Sequence, residues 1–351
     1  MTERTPILID CDTGIDDSLA LLYAAASPEA EVVAVTCCSG NVEADQVAMN
    51  TLAVLELAGR TDVEVALGRK VPLVRPLEVT PETHGPHGLG YAELPVARRP
   101  LSQRHAADLI IDHARRRPGE LTLVTLGPLT NLAVALEREP HLPSLLRRLV
   151  FMGGAFRVPG NTTPTTEWNI HCDPEAAKLV LDAFGAAAPL LPLGLGLDVT
   201  EQARVLPDHV VALARRSGSR PDDSIVLAHG EHPLEATRSV AANPIVRFIA
   251  DALRFYMEFH ARYDGFYGAF IHDPLALAAA LDPSLVTTQA VHVDVDTAGG
   301  PADGQTIADW RHLTGKPPNV DVAVEAAAEE FLGRFIERVG GLAERRAAGL
   351  A

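Results

Sequence analysis

Residues 7–26, which read ILIDCDTGIDDSLALLYAAA, decide the fold. An apolar run ends in two aspartates, a glycine turn and two further aspartates follow, and then comes a second apolar run of helical length. The four acids are Asp10, Asp12, Asp16 and Asp17. Like charges at this spacing repel and raise each other's pKa, so a bound cation or a helix N-terminus must offset the cost.

The rest of the chain repeats this alternation of short apolar strands and longer helices. Predicted strands are Ile7–Asp10, Val32–Thr36, Val63–Leu67, Leu121–Leu126, Leu149–Met152 and Leu190–Val199. Predicted helices are Asp16–Ala26, Ala44–Ala58, Ala106–Arg116, Leu129–Arg138, Pro174–Phe184 and a closing helix at Val324–Arg346. The pattern predicts an α/β fold over a single domain, 1–351, with a mostly parallel, Rossmann-like central sheet and helices on both faces.

Composition narrows the class of protein. The 351 residues are 47% apolar, enough for a full core, and the net charge of −16 argues against a nucleic-acid partner. The four cysteines do not form a disulfide pattern, and the N-terminus lacks a signal-peptide apolar region, so we expect a cytoplasmic protein. No apolar run is long enough to span a membrane. Residues 214–242 are polar and aperiodic and predict an inserted loop or flap over the site.

Polar residues follow several of the predicted strands. Asp10 and Asp12 end the first strand, and Asn41 follows the second. Three later segments also end strands with glycine turns or polar groups: LGPLTN at 126–131, MGGAF at 152–156 and LDVT at 197–200. Ligands of open α/β sheets bind beyond the carboxyl ends of the strands, so we expect these segments to meet at one edge.

The aspartate cluster allows several interpretations. Helix capping explains one or two of the acids but not four. An EF-hand loop fails, because Gly14 and Leu21 stand where that loop needs oxygen ligands. A cation site of oxygen ligands, with Asp12 and Asp17 as two of them and a distant partner, explains the spacing.

Asp10-Cys11-Asp12-Thr13 also resembles the opening motif of haloacid-dehalogenase-like phosphatases, in which Asp10 would be the nucleophile. That family carries a late G-D-x-x-x-D motif, which is missing from this sequence. The phosphatase therefore stands as the alternative interpretation, together with a non-catalytic ribose- or nucleoside-binding protein.

Seven motifs in order give a stronger resemblance. DCDTGIDD, at 10–17, is similar to the D-x-D-P-G-x-D-D signature of the inosine–uridine type of nucleoside hydrolase, with threonine in place of proline. The others are SGN at 39–41, HGPHGLG at 84–90, LGPLTN at 126–131, MGGAF at 152–156, EWNIHCDPEAA at 167–177 and HDPLA at 272–276. The similarity runs from about Pro6 to Val339.

The resemblance implies a role for each matching residue. Ca²⁺ would be held by Asp12, Asp17, the Leu126 carbonyl and Asp273, with Asp10 bracing this set from behind. Implied substrate-binding residues are Asp16, Asn41, His84, Met152, Asn161, Glu167 and Asn169. His272 matches a histidine that assists the departing base, and the family suggests a dimer or tetramer.

One departure concerns the base. The family keeps a base-contacting tyrosine twelve residues before the HDP histidine, and here that position is His260. We therefore expect a calcium-dependent N-ribohydrolase with an open base preference. Cleavage of an N-ribosidic bond builds an oxocarbenium-like ribosyl cation, and Asp12 is our choice for the general base that activates water.

Overall fold

The computed structural model describes residues 4–219 and 238–349. The strands are β1 Thr5–Cys11, β2 Ala30–Cys37, β3 Glu64–Leu67, β4 Thr122–Thr125, β5 Arg148–Met152, β6 Leu193–Leu195, β7 Arg204–Val205, β8 Ala269–Phe270, β9 Val286–Val291, β10 Val293–Val295, β11 Thr306–Ala308 and β12 Val320–Ala326. The helices are α1 Ile15–Ala26, α2 Ala44–Leu57, α3 Pro81–His84, α4 Ala106–Arg116, α5 Thr130–Arg138, α6 Leu142–Leu145, α7 Trp168–Cys172, α8 Pro174–Ala187, α9 Leu197–Thr200, α10 Pro207–Arg216, α11 Pro244–Tyr263, α12 His272–Leu281 and α13 Ala328–Ala347.

Eight of these strands form the central sheet, in the order β3-β2-β1-β4-β5-β6-β12-β9. Every neighbouring pair is parallel except β12–β9, which is antiparallel and closes one edge. The mostly parallel α/β sheet predicted from the sequence is therefore confirmed. β7–β8 and β10–β11 form two small antiparallel ribbons outside it.

β1 divides the core into two layers because successive side chains of a strand point to opposite faces. Ile7 and Ile9 belong to one buried cluster, which includes apolar residues of α1, α11 and α13. Leu8 belongs to the other, which includes apolar residues of α4, α5 and α8. Helices therefore cover both faces, and β1 is buried on both sides, which explains its continuous apolar run.

The strand order places a crevice at the carboxyl end of β1. From β1 the chain builds outward to β2 and β3, and it then returns to add β4, β5 and β6 on the other side. Loops leaving β1 and β4 therefore diverge, and this reversal is where open α/β sheets bind ligands. Asp12 and Leu126 leave the sheet at this point, directly after β1 and β4.

Two sequence predictions were wrong at their boundaries. The strand predicted at Leu190–Val199 is only Leu193–Leu195, because Leu197–Thr200 forms a helical turn instead. The closing helix starts at Ala328, because Val320–Ala326 pairs with β6 and β9. The residues Val320–Ala326 form a strand between β6 and β9. The local sequence pattern does not reveal this pairing, because both partner strands are distant along the chain.

The predicted insertion at 214–242 falls mainly on residues 220–237, which lie outside the described residues. Within 4–219 and 238–349, no helix combines the length and the apolar character needed to cross a membrane. All four cysteines are free and buried.

Substitutions at two glycines in helices can test how closely α8 packs against the residue that precedes β12. A Cβ on Gly185 would lie 2.8 Å from the Asn319 Cα, whereas a Cβ on Gly333 meets nothing within 4 Å. Asn319 exchanges two hydrogen bonds with Val293, at 2.7 and 2.9 Å, and so ties the residue before β12 to the start of β10. Gly185→Ala should therefore destabilise the protein by about 1–3 kcal/mol, because the helix must move off this backbone.

Gly333→Ala is the matched control, since an unobstructed helical Gly→Ala change stabilises by about 0.5–1 kcal/mol. Urea unfolding of the wild type and both variants measures the difference. Equal changes of the same sign in the two variants would contradict the close helix–turn contact.

Candidate active site

The loops at the carboxyl edge of the sheet enclose a cavity of about 490 Å³. Most of the residues predicted to form the site line it: Asp16, Asn41, His84, Leu126, Met152, Asn161, Glu167, Asn169, His260, His272 and Asp273. Asp10, Asp12 and Asp17 are buried at its base and are not part of the lining. The convergence expected from the motif positions is therefore present.

Asp17 ties the turn after β1 to the start of α1. Its Oδ1 accepts the Asp12 N–H at 3.2 Å and its Oδ2 accepts the Gly14 N–H at 2.8 Å. Asn41 donates its side-chain amide to the same Oδ2 at 3.1 Å. The carboxylate thus satisfies backbone N–H groups at the N-terminus of α1, where a negative charge is favoured.

Asp12 is held by its neighbours on one side only. Its Oδ2 accepts the Asn41 N–H at 2.8 Å, while its buried Oδ1 has no hydrogen-bond partner among the described residues. A Cβ on Gly40 or Gly127 would come within 2.0 or 2.5 Å of the two carboxylate oxygens. The glycines of the SGN and LGP motifs are therefore required by the close approach of two loops to this carboxylate.

Three further carboxylates lie close together. Oxygen atoms of Asp16, Asp17 and Asp273 all fall within 4.8 Å of one another, and all three residues are buried. Burial raises the pKa of each, and neighbouring negative charge adds to this for Asp16, which reaches about 8, and for Asp273. Burial followed by the charge of Asp17 also holds the pKa of Asp12 well above its usual range.

This donor set fits a hard cation. Carboxylate oxygens are the ligands that Ca²⁺ and Mg²⁺ prefer, and a cation supplies the charge compensation that the four acids lack. Asp12 Oδ1 is an orphaned buried oxygen of the kind that a cation would satisfy. Of the ligands predicted from the sequence, Asp17 and Asp273 fall in the compact group, which also includes Asp16. The full ligand set stays a prediction.

Asn169 joins the ends of β4 and β5. Its Nδ2 donates to the Leu126 carbonyl at 2.7 Å and lies 3.2 Å from the Met152 carbonyl and 3.3 Å from Met152 Sδ. The Leu126 carbonyl, predicted as a metal ligand, thus already accepts one hydrogen bond. A carbonyl has two lone pairs, so this bond leaves one for a second partner.

Glu167 and Asn161 make structural contacts in addition to lining the cavity. Glu167 caps α7: its Oε1 accepts the Asn169 N–H at 2.8 Å and its Oε2 accepts those of Gly154 and Ile170 at 2.9 and 3.1 Å. Asn161 Oδ1 accepts the Trp168 N–H at 3.0 Å. Both side chains hold the loop after β5 in place, and their predicted contact with ribose stays a prediction.

Two histidines of the cavity are fixed in opposite tautomers, assigned from their hydrogen bonds. His84 Nδ1 accepts the Ile15 N–H at 3.1 Å, so its proton is on Nε2. His272 Nδ1 lies 2.8 Å from Thr200 Oγ1, whose hydroxyl donates to the Gly196 carbonyl at 3.1 Å, so His272 carries its proton on Nδ1. Burial lowers the pKa of each ring to about 3, so both are neutral.

His260 differs from the other two. Its Nδ1 lies 2.7 Å from Asp264 Oδ2, and its buried Nε2 has no partner in the described part of the chain. Burial lowers the pKa of the ring, and the hydrogen bond with Asp264 works against that shift. The side chain is only 6% exposed.

Asp10 is fully buried within the sheet edge. Thr36 Oγ1 and Asn131 Nδ2 donate to its Oδ1 at 2.5 and 2.8 Å, and burial raises its pKa to about 7. Its Oδ2, like Asp12 Oδ1, has no hydrogen-bond partner among the described residues, and neither carboxylate lines the cavity. Burial and open oxygens therefore do not separate the phosphatase interpretation from a role for Asp12.

Sequence reasoning missed several supporting residues. Asp264 follows His260 by one helical turn, a spacing that could have indicated the pair. Thr200, Thr36 and Asn131 left no such signal, because their contacts with His272 and Asp10 span between 26 and 121 positions. Asp198, in the LDVT segment, accepts two backbone N–H groups of the loop after β5.

Comparison with known proteins agrees with this geometry. The family model for inosine-uridine preferring nucleoside hydrolases matches residues 7–333. The pyrimidine-specific ribonucleoside hydrolase RihA of Escherichia fergusonii is 37% identical over 335 residues, which cover 95% of this chain and 98% of that protein.

Two solved structures are also similar. The purine-preferring ribonucleoside hydrolase from Gardnerella vaginalis superposes with a TM-score of 0.83 at 33% identity, over 97% of this chain and 99% of its own. The plant nucleoside hydrolase PpNRh1 gives 0.82 at 31% identity, over 96% and 99%. This chain therefore belongs to the inosine-uridine preferring nucleoside hydrolase family and is a hydrolase that acts on the N-glycosyl bond of ribonucleosides.

Proposed function

We propose that the protein is a calcium-dependent N-ribohydrolase in which Asp12 is the general base. The observation that carries this proposal is Asp12 Oδ1, a buried carboxylate oxygen without a partner in the described residues, beside three further buried carboxylates. An unpaired buried carboxylate is costly unless it serves a ligand or a reaction. The substrate is a ribonucleoside, and the products are ribose and a free base.

Asp12, Asp17, Asp273 and the Leu126 carbonyl would hold the ion. Ca²⁺ takes about six to eight oxygen ligands, so this protein set leaves room for water and sugar hydroxyls. When bound, the ion lowers the pKa of the attacking water and neutralises the clustered carboxylates. It acidifies water less strongly than zinc does, so a protein base is still required.

Asp12 then accepts the proton of the water that attacks the anomeric carbon. Its pKa must fall for it to do so, and compensation of the neighbouring charges has that effect. The Asn41 N–H occupies one lone pair of Oδ2, and the remaining lone pairs of the carboxylate are available for the ion and for the proton of the water. The Asn41 backbone thus fixes the orientation of the Asp12 carboxylate.

Asp16, Asn41 and Asn169 line the cavity beside this carboxylate and are proposed to hold the ribose hydroxyls. Holding the sugar matters because charge develops on its ring in the transition state. Met152, Asn161, Glu167 and His84 complete the proposed substrate contacts, and His272 lies next to Asp273 at the cavity wall.

The other interpretations find less support. A phosphatase using Asp10 conflicts with the family to which the chain belongs. A non-catalytic binding protein has no need for a buried acid with an open oxygen. One relative is named as pyrimidine-specific and another as purine-preferring, so the base preference of this protein is to be measured by assay. A homodimer or tetramer and a cytoplasmic location remain proposals.

The first prediction concerns Asp12. Asp12→Asn should lower ribose release from inosine, adenosine, uridine and cytidine by about 10²–10⁴-fold, because the water loses its base. Ribose is measured by a reducing-sugar assay with calcium present. Asp10→Asn is the comparison variant: it keeps an oxygen acceptor for Thr36, so it should lower the activity far less than Asp12→Asn does. The reverse pattern, with Asp10→Asn inactive and Asp12→Asn active, would sink this mechanism.

The second prediction concerns pH and calcium. Asp16 keeps its proton up to a pKa of about 8 in the folded protein and loses it near 3.8 when unfolded. Between these values the folded state binds more protons, so stability of the calcium-free protein must fall as pH rises. Bound calcium should reverse the loss, adding about 2.7 kcal/mol at a hundred times its Kd.

Thermal unfolding from pH 5 to 8, with chelator or with calcium, measures both effects. Asp17→Asn and Asp273→Asn should weaken the calcium response, whereas Asp182→Asn, an exposed carboxylate on α8, should keep it. A calcium-free melting temperature that climbs between pH 5 and 8, or one that calcium leaves unchanged at pH 8, would refute a calcium site here.

A further inference from the structure

The cavity combines two kinds of surface. Its carboxylate and amide residues lie at the carboxyl edge of the sheet, and an aromatic wall comes from α11 and β8. Around His260, ring centroids lie at 4.6 Å for Tyr256, 4.8 Å for Phe270, 5.3 Å for Phe259 and 5.6 Å for Phe266. Hydroxyl-rich ribose suits the first surface, and a flat heterocyclic base suits the second.

His260 brings an unsatisfied polar atom into this aromatic wall. Its Nδ1 is bonded to Asp264 Oδ2 at 2.7 Å, which leaves Nε2 buried without a partner among residues 4–219 and 238–349. A buried polar group without a partner costs about 1–3 kcal/mol. A ligand atom that bonds to Nε2 removes that cost, so the atom points to a polar contact with the base.

The three histidines of the cavity are not equivalent as proton donors. His84 receives a backbone N–H on Nδ1, and His272 donates Nδ1–H to Thr200, so neither ring has a carboxylate to stabilise an imidazolium. Only His260 pairs with an acid, Asp264. Burial lowers the pKa of the His260 ring, and the Asp264 carboxylate opposes that shift by favouring the charged form, which carries a transferable proton on Nε2.

We propose that His260 is the general acid of the reaction, delivering a proton from Nε2 to the departing base, with Asp264 as the residue that positions its ring. The inference rests on the proposed function, since it assigns the acid that the same cavity needs beside the base Asp12. It goes beyond the resemblance, which places base assistance at His272.

The proton balance is complete. The bond between the anomeric carbon and the base nitrogen breaks, and its electron pair stays with the base. The Nε2 proton of His260 moves to that base, so the imidazolium becomes a neutral imidazole. Water adds its oxygen to the anomeric carbon and gives its proton to Asp12. Proton exchange with solvent returns both side chains to their starting states, leaving ribose and neutral base.

Several other groups face this ring from the surrounding elements. Burial and then a charge on His260 lower the pKa of both His84 and His272, and all three rings line the cavity. Burial raises the pKa of Glu201 in the same cavity wall, and the negative charge on Asp264 adds to this. The titratable and charged groups that share the cavity or its aromatic wall with His260 are Asp16, Glu82, His84, Glu167, Glu201, Arg204, Tyr256, Tyr263, Asp264, His272 and Asp273.

The test compares two leaving groups. A nucleoside that the wild type cleaves needs a proton on its base, whereas p-nitrophenyl β-D-ribofuranoside releases a phenolate that leaves without one. His260→Gln should lower kcat on the nucleoside by about 10²–10⁴-fold and leave kcat on the nitrophenyl riboside within about threefold. Retained nitrophenyl riboside cleavage also shows that the variant is folded.

Asp264→Asn keeps a hydrogen-bonding group at Nδ1 but removes its charge. It should lower kcat on the nucleoside with little change in KM. The alkaline limb of the pH profile should move to lower pH, because the His260 imidazolium has a lower pKa without the negative charge of Asp264. A purely structural role for Asp264 would not move that limb. His209→Gln, on the exposed start of α10, serves as the control histidine.

Three results would overturn the proposal. In the first, His260→Gln affects both substrates equally, which makes the ring a packing or binding residue. In the second, His260→Gln affects neither substrate. In the third, His272→Gln gives the selective loss and His260→Gln does not. Failure of the proposed function looks different: the calcium-replete, folded wild type would release no ribose from any nucleoside.

Discussion

Mutual repulsion among the carboxylates at the carboxyl end of β1 is the constraint on which the site depends. Asp12, Asp16 and Asp17 are buried there because β1 runs through the middle of a parallel sheet and the turn into α1 lies where the strand order reverses, and Asp273 joins them from the start of α12. Asp17 is partly compensated by the N–H groups that begin α1. The negative charges of Asp12, Asp16 and Asp273 are compensated less by the protein, and a bound cation would supply the missing positive charge.

Residues of the surrounding loops either leave room for these carboxylates or donate hydrogen bonds to them. Gly40 and Gly127 have no side chain because a Cβ at either place would collide with the Asp12 carboxylate. Asn41 donates from its backbone to Asp12 and from its side chain to Asp17, so one residue orients two acids. The cost of keeping these charges in the interior is offset by the apolar layers on both faces of the sheet.

Different parts of the cavity suit different parts of the substrate. Oxygen-bearing side chains at the sheet edge suit the sugar and the water, while the aromatic wall around His260 suits the base. The neighbours of each histidine decide its chemistry: a backbone N–H at His84, a threonine hydroxyl at His272 and a carboxylate at His260. Three rings of the same type therefore differ in which nitrogen carries a proton and in how well they hold a second one.

Local sequence determined the parallel α/β pattern, the aspartate cluster and the order of the motifs, because period, turn residues and spacing are properties of short segments. It did not determine that Val320–Ala326 enters the sheet, since strand pairing depends on a partner far along the chain. Tertiary structure alone decided that Thr200 orients His272, that Asp12 keeps one oxygen open and that His260 is buried in the cavity wall. Those facts depend on burial and on distances between elements, which folding sets and local sequence does not encode.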